Sequence, residues 1–243
     1  MATIDDLPPE ILLYIFRLFP SWCLVRCFRW VCCRWRNLVD ALNAHWKDKC
    51  ERAGYPLAML TSPSPDWEIF HLLCQLRKNI VKNPCGKEEF LHWKINEHQE
   101  RCWTVVELSK EEYPLEHVAT CFIAFNGPDT KSQRITLKDH GYSDELMDYV
   151  RPHIVVQDWS DVLYPNPRYN YVLTVKLLSA DFKALYTCFI SNGEVMKNGT
   201  RNWKETSYTF RNYTAGIRHI QFEHGVDDGK LSNSTVTIGP NFP

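Results

Sequence analysis

The spacing of apolar side chains changes once along this 243-residue chain. Up to about residue 80 they recur every three or four positions, the period of a helix; from about residue 90 they recur every second position, the period of a strand. In DDLPPEILLYIFRLF the residues Ile11, Leu12, Ile15, Phe16 and Phe19 share one helical face. Asp6 is the expected N-cap, the prolines fall in the first turn where a missing N–H costs little, and Pro20 is the expected stop. Ser21 is then expected to cap a second helix containing WCLVRCFRWVCCRW, residues 22–35. On a helical wheel Leu24, Cys27, Phe28, Val31, Trp35 and Leu38 fall within an arc of about 100°. Arg26, Arg29 and Arg36 lie opposite, with Arg34 at the margin. A further helix is predicted in SPDWEIFHLLCQLRKNI, capped by Ser64 or Asp66, with Phe70, Leu73, Leu76 and Ile80 along one side. GYPLAMLTSPSP reads as the linker before it.

In the second region YNYVLTVKLLS alternates, placing Tyr169, Tyr171, Leu173, Val175 and Leu177 on one face. CFIAF, QRITL, HIVVQDW, ALYTCFIS, KETSYTFRN, GIRHIQFEH and STVTIG are further strand candidates, separated by the turn signals NGPD, YPNP, SNGE, KNGT and VDDG. One helical interlude is expected at SDELMDYV, capped by Ser143. Many short strands without a helix between each pair predict an antiparallel sandwich. The expected class is α+β: an N-terminal helical module and helical linker, then an antiparallel β-sandwich.

Composition narrows the function. The net charge of −1 gives no bulk reason to expect nucleic acid or an anionic membrane as partner. No stretch approaches the roughly 20 apolar residues of a membrane span, and MATIDDLPPE lacks the basic start of a secretory signal. A cytoplasmic chain with reduced thiols is expected. Its ten cysteines then need no disulfide framework, and the sequons at Asn198, Asn212 and Asn233 read as loop chemistry.

The cysteine-rich stretch admits three readings. Zinc needs four converging ligands, but on a helix Cys23, Cys27, Cys32 and Cys33 fan out. Interleaved Arg and Trp can grip a nucleic acid, yet the cluster is small and Asp5, Asp6, Glu10 and Asp40 are near in sequence. A docking helix uses the apolar arc and treats Cys27 as a small apolar residue on the buried side. No metal or cofactor is expected. Of the nine histidines, His219 and His224 are five apart on a strand and so face opposite sides; His92 and His98 are expected at the surface. No catalytic motif of the common hydrolases or phosphate binders is present, so no catalysis is expected.

The assembled N-terminal pattern resembles the F-box, a helical module that docks on the Skp adaptor of SCF (Skp–cullin–F-box) ubiquitin ligases. Leu7, Pro8, Ile11, Leu12, Ile15, Leu24, Cys27, Val31, Trp35 and Leu38 stand where that motif expects apolar residues or proline. The resemblance implies that these residues form the adaptor-binding face. The remainder is similar to the linker and F-box-associated (FBA) domain of the sugar-recognising F-box subfamily. DWEIF, LRKNIVKNPCG, GYSDELMD, RPHIVVQDW, YVLTVKLLSAD, WKETSYTF, GIRHIQFEHG and SNSTVTIGP carry that likeness.

The implied organisation is an F-box over residues 1–48, a helical linker over 49–82 and a sandwich substrate domain over 83–243. The implied function is that of a non-catalytic substrate receptor. Its partners would be the Skp adaptor, the cullin scaffold and a protein substrate, with or without an N-glycan, marked for degradation. Sugar-binding members present glycoproteins retrotranslocated from the endoplasmic reticulum. Two departures bear on that role: Asn126 replaces a stacking aromatic, and the loop VDDGKL is shorter than the family pattern and lacks a Tyr-Trp pair. Asn126, Asp227, Asp228 and Lys230 remain as candidate substrate contacts without a stacking platform, which favours a protein feature over a glycan. The alternative is a cytosolic lectin acting outside any ligase.

Overall fold

The structure is a computed structural model that describes residues 4–57, 66–95, 102–109, 118–125, 129–163, 170–192 and 203–240. Ser64, His98, Asn126, Tyr169 and Asn198 lie outside them. The chain divides into two compact units, residues 1–77 with 239–243, and residues 78–238.

The first unit is helical. α1 spans Pro9–Phe16, α2 Ser21–Arg26, α3 Cys33–Arg52 and α4 Trp67–Leu76. Pro9 opens α1 because its missing N–H is not needed there. Extended Pro8 is the N-cap, and its carbonyl accepts from the amides of Ile11 and Leu12. Asp6 therefore does not cap. Pro20 does not close α1, which ends at Phe16; it opens α2, its carbonyl accepting from Cys23 and Leu24. Ser21 is accordingly the first helical residue rather than the cap.

Residues 22–35 are not one helix. α2 ends at Arg26 with Cys27 as its C-cap, a 3₁₀ turn covers Phe28–Trp30, and Cys32 is fully extended at φ −157°, ψ 169°. The Cys32 thiol then caps α3, accepting from the Trp35 amide at 3.4 Å. Aromatic packing accounts for the break. The turn lets Phe28 reach Phe16, Phe19 and Trp35, with centroids 5.2, 4.9 and 5.3 Å away, while Trp35 meets Phe16 edge-on at 4.9 Å. Leu12, Phe16, Leu24, Trp35 and Val39 form one buried cluster of this unit, and Cys50, Phe70 and Leu73 are buried as well.

α4 is capped by Asp66, whose Oδ1 accepts from the Ile69 amide at 3.1 Å. The expected continuation to Ile80 does not occur, since Arg77 is already extended. Beyond it the backbone bonds to a strand of the second unit. The Ile80 amide donates to the Val236 carbonyl at 2.9 Å, and the Asn79 side chain accepts from the Val236 amide at 3.0 Å.

The second unit is the sandwich. Its strands are β1 Lys94–Ile95, β2 Trp103–Glu107, β3 Thr120–Ala124, β4 Asp129–Thr136, β5 His153–Val162, β6 Tyr171–Leu178, β7 Ala184–Asn192, β8 Lys204–Phe210, β9 His219–Val226 and β10 Gly229–Gly239. One sheet has the order β1-β4-β9-β6-β7, the other β2-β3-β10-β5-β8. The α+β class with an antiparallel sandwich is the observed architecture, and β1 and β2 add to the expected strands.

Alternation decides what is buried. Tyr171, Leu173, Val175 and Leu177 of β6 are all inside. They pair across β9 with Val226, His224, Phe222 and Ile220. Those in turn pair with Asp129, Lys131, Gln133 and Ile135 of β4. The inward row therefore includes polar residues. The expected helical interlude is present as a turn of wide, π-type helix at Leu146–Val150, and the Ser143 hydroxyl accepts from the Leu146 amide at 3.2 Å. VDDG is not a hairpin: it carries the chain from β9 in one sheet to β10 in the other.

Candidate functional site

Two regions carry the residues singled out in the sequence. In the helical unit the ten adaptor-face candidates separate into two groups. Leu12, Leu24 and Trp35 belong to its buried core, with Leu7, Ile15 and Leu38 packed against that core. Pro8, Ile11, Cys27 and Val31 are exposed. Cys27 thus leaves the buried side where the single-helix wheel puts it, because the chain unwinds at that residue.

Beside Ile11 and Val31 stand exposed apolar side chains that the sequence pattern missed. Ile4, Ile11, Tyr14, Leu18, Phe19, Trp30 and Val31 are seven large apolar residues exposed within 28 positions, and Tyr14, Leu18 and Trp30 are each about two-thirds exposed. Ile11, Tyr14 and Leu18 recur at helical spacing along α1 and the turn after it, a solvent-facing row beside the buried one.

The arginines are engaged locally. Arg29 pairs with Asp40, Nε to Oδ1 at 2.6 Å and Nη2 to Oδ2 at 3.3 Å. Arg34 donates to the Leu7 carbonyl, tying the N-terminal turn to α3. Arg29 and Arg36 both lie 6.0 Å from the Trp30 ring. Among the described residues no three His, Cys, Asp or Glu side chains are placed to hold a metal.

In the sandwich Asn126 is outside the described residues. Asp227 and Asp228 are half-buried in the crossing between the sheets, with the Asp227 amide donating to Asn170 O at 2.9 Å and Asp228 O accepting from the Leu163 amide at 3.1 Å. Lys230 is buried in β10 opposite Ile123, so it is not the open contact the sequence suggests. Phe125 packs with Trp203 on a cluster of Cys121, Ile123 and Leu163.

Beneath this end lies a polar chain that sequence reasoning missed. His224 is fully buried, on the opposite side of β9 from the partly buried His219. Its Nδ1 is 2.7 Å from Asp158 Oδ2, and its Nε2 meets Lys131 Nζ. Asp158 also accepts from Tyr171 Oη and Ser234 Oγ, each at 2.8 Å. A carboxylate only accepts and a lysine amine here donates, so the neutral ring carries its proton on Nδ1.

Aromatic rings enclose the chain. Trp93 stacks on His224 at 4.9 Å and 14°. The Lys131 amine sits 3.7 Å from the ring centroids of Trp93 and of Phe122. Burial lowers His224 to about 4, with Lys131 adding to the effect and Asp158 opposing it. Burial likewise lowers Lys131 well below its ordinary value, against the pull of Asp158. Lys131, His224 and Asp158 show no exposed surface, so the chain acts on the fold and not on a solute. A parity signal was available for two of them: His224 shares the alternation of Phe222 and Ile220, and Asp158 that of Val156 and Ile154.

A helical module with an exposed apolar row, followed by an antiparallel sandwich, is the organisation of an F-box protein with an F-box associated region, and the chain belongs to that family. The F-box associated region matches residues 71–238, and an F-box-like domain matches residues 4–52. F-box only protein 44 of Homo sapiens is 36% identical, with 100% of this chain and 99% of that protein covered. F-box only protein 6 of Bos taurus is 36% identical over 98% of this chain and 94% of its own length. F-box only protein 2 of Bos taurus is 34% identical over 98% and 85%. Among solved structures, the enzymatically active domain of bacteriophage CBA120 tailspike protein 4 aligns with a TM-score of 0.45 and 13% identity, covering 66% of this chain and 21% of that one.

Proposed function

We propose that this chain is the substrate-recognition subunit of an SCF ubiquitin ligase. The helical unit docks on the Skp adaptor, which joins it to the cullin scaffold, and the sandwich brings a protein for ubiquitination and degradation in the cytoplasm. The subunit itself performs no chemistry; it raises the local concentration of substrate beside the ligase core. The observation that carries this reading is the concentration of exposed apolar side chains within the region matching an F-box.

On this reading the ten candidates have two jobs. Leu12, Leu24 and Trp35, supported by Leu7, Ile15 and Leu38, hold the module together. Ile11, Cys27 and Val31, with Pro8 and with Tyr14, Leu18, Phe19 and Trp30 added, meet the adaptor. Charging Ile11 and Val31 to Glu together should weaken capture by purified Skp adaptor at least tenfold, with far-ultraviolet circular dichroism unchanged. A double variant that binds like the parent sinks the assignment.

The substrate face is the sandwich end carrying Asp227 and Asp228. Lys230 is buried and the aspartates bond the crossing through their backbones, so this end favours a protein feature over stacked sugar rings. A glycan array is expected to give no signal above background for the chitobiose core. Strong chitobiose binding would establish glycoprotein capture, the role in degrading retrotranslocated glycoproteins, in its place.

A further inference from the structure

The strand ends that lead into the Asp227–Asp228 crossing rest directly on the buried polar chain. Counting along the register, Tyr171, Val226 and Asp129 form the last paired row of β6, β9 and β4; the next inward row is Leu173, His224 and Lys131. Across the gap Asp158 and Ser234 come from β5 and β10. The bonds from His224 and Tyr171 to Asp158 therefore join one sheet to the other one row beneath the crossing. The segment 78–93 closes over the same place. Trp93, its Nε1 donating to Asn83 O at 2.9 Å, covers the imidazole, and the Ser234 carbonyl accepts from Asn79 Nδ2 at 2.9 Å.

Every group that faces His224 fixes one proton position. Asp158 on β5 requires a donor at Nδ1; Lys131 on β4 requires an acceptor at Nε2; Tyr171 on β6 already donates to the same carboxylate oxygen. Cys85 is the further titratable group near Lys131. A second proton on the ring would place N–H against N–H at Nε2 and a cation against the lysine, with no water to screen either.

We propose that Lys131, His224 and Asp158 form a proton-sensitive clasp that holds the loop-bearing end of the sandwich together, and that protonating His224 loosens that end while the rest of the sandwich stays folded. That this end is the substrate face rests on the reading above; the clasp itself does not depend on it. The direction follows from linkage. The closed ring takes its proton only near pH 4, whereas an opened one takes it near 6.5. The opened state therefore binds more protons in this window, and the closed state loses ground by about tenfold per pH unit as pH falls from 6.5. Above 6.5 the contribution is constant. Of the other described histidines of the sandwich whose ionisation is lowered, His153 and His219 sit at the opposite ends of their strands and His140 in the 3₁₀ turn that follows the opposite end of β4, so acid effects arising from them would appear there.

Amide exchange of the full chain between pH 7.5 and 4.5, corrected for intrinsic rates, tests the clasp. Protection of Leu163, Val226 and Asp227 should fall at least tenfold on acidification. Protection at Ile135, Ile154 and Ile220 should change less than threefold. The His224 ring signals should titrate with a midpoint near 4. Lys131→Met, which removes the amine facing Nε2, should move that midpoint and the loss of protection upward together. If that variant does not fold, the wild-type titration decides. A ring midpoint near 6.5, a uniform loss of protection, or a loss that begins at the His219 end overturns the proposal. A clasp that opens as described in a chain that binds nothing through this end would refute the substrate face alone.

Discussion

Asp158→Ala should destabilise the sandwich by about 3–5 kcal/mol, the usual cost of removing one partner from a buried charged network. The carboxylate is fully buried and accepts from three side chains, His224, Tyr171 and Ser234. Without it the Lys131 amine has no anion beneath it and the His224 Nδ1–H loses its acceptor. Since a domain's whole stability is about 5–15 kcal/mol, urea unfolding followed by tryptophan fluorescence should show a much lower midpoint or no folded baseline. Asp158→Asn is expected to cost less. Its carbonyl still serves Tyr171 or Ser234, but its amide would point a donor at the His224 Nδ1–H. A change below about 1 kcal/mol in Asp158→Ala, the range of an ordinary hydrogen bond, would mean the network contributes little.

Trp35→Ala should unfold the helical unit. The indole is buried against Phe16 and Phe28 in a cluster of five buried residues, and truncating a buried Trp costs about 3–5 kcal/mol. A helical core of this size has little more than that to lose. Adaptor capture should disappear together with helical circular dichroism. This separates Trp35 from Ile11 and Val31, whose charged variants should lose capture and keep their helices. Trp35→Ala that stays helical while losing capture would move Trp35 from the core to the interface.

Much of the fold was legible in short-range pattern. The alternation of Tyr171, Leu173, Val175 and Leu177 gave β6 and its buried side, and Ser143 gave the start of the helical interlude. The helical wheel failed where its assumption of one continuous helix failed. Phe28 gains three aromatic contacts by leaving the helix, and two of the three rings, Phe19 and Phe16, are nine and twelve residues away on the preceding segment, which the wheel does not contain. The same break exposes Cys27 and Val31 and lets Cys32 cap α3. Ile80 kept the helical spacing but joined the sandwich, because the backbone beyond Arg77 bonds to β10, more than 150 residues further on.

The sequence by itself determined the two periods, the order of helices before strands, and the apolar N-terminal pattern; these follow from side-chain direction along a single element, which is a local property. The tertiary structure alone decided which apolar residues of that pattern are core and which are surface. It also decided that VDDG crosses between sheets, and that Lys131, His224 and Asp158 meet. His224 lies 93 residues from Lys131 and 66 from Asp158. No local spacing encodes such a meeting: the pairing of β4 with β9 sets Lys131 beside His224, and the stacking of the two sheets brings Asp158 to the imidazole.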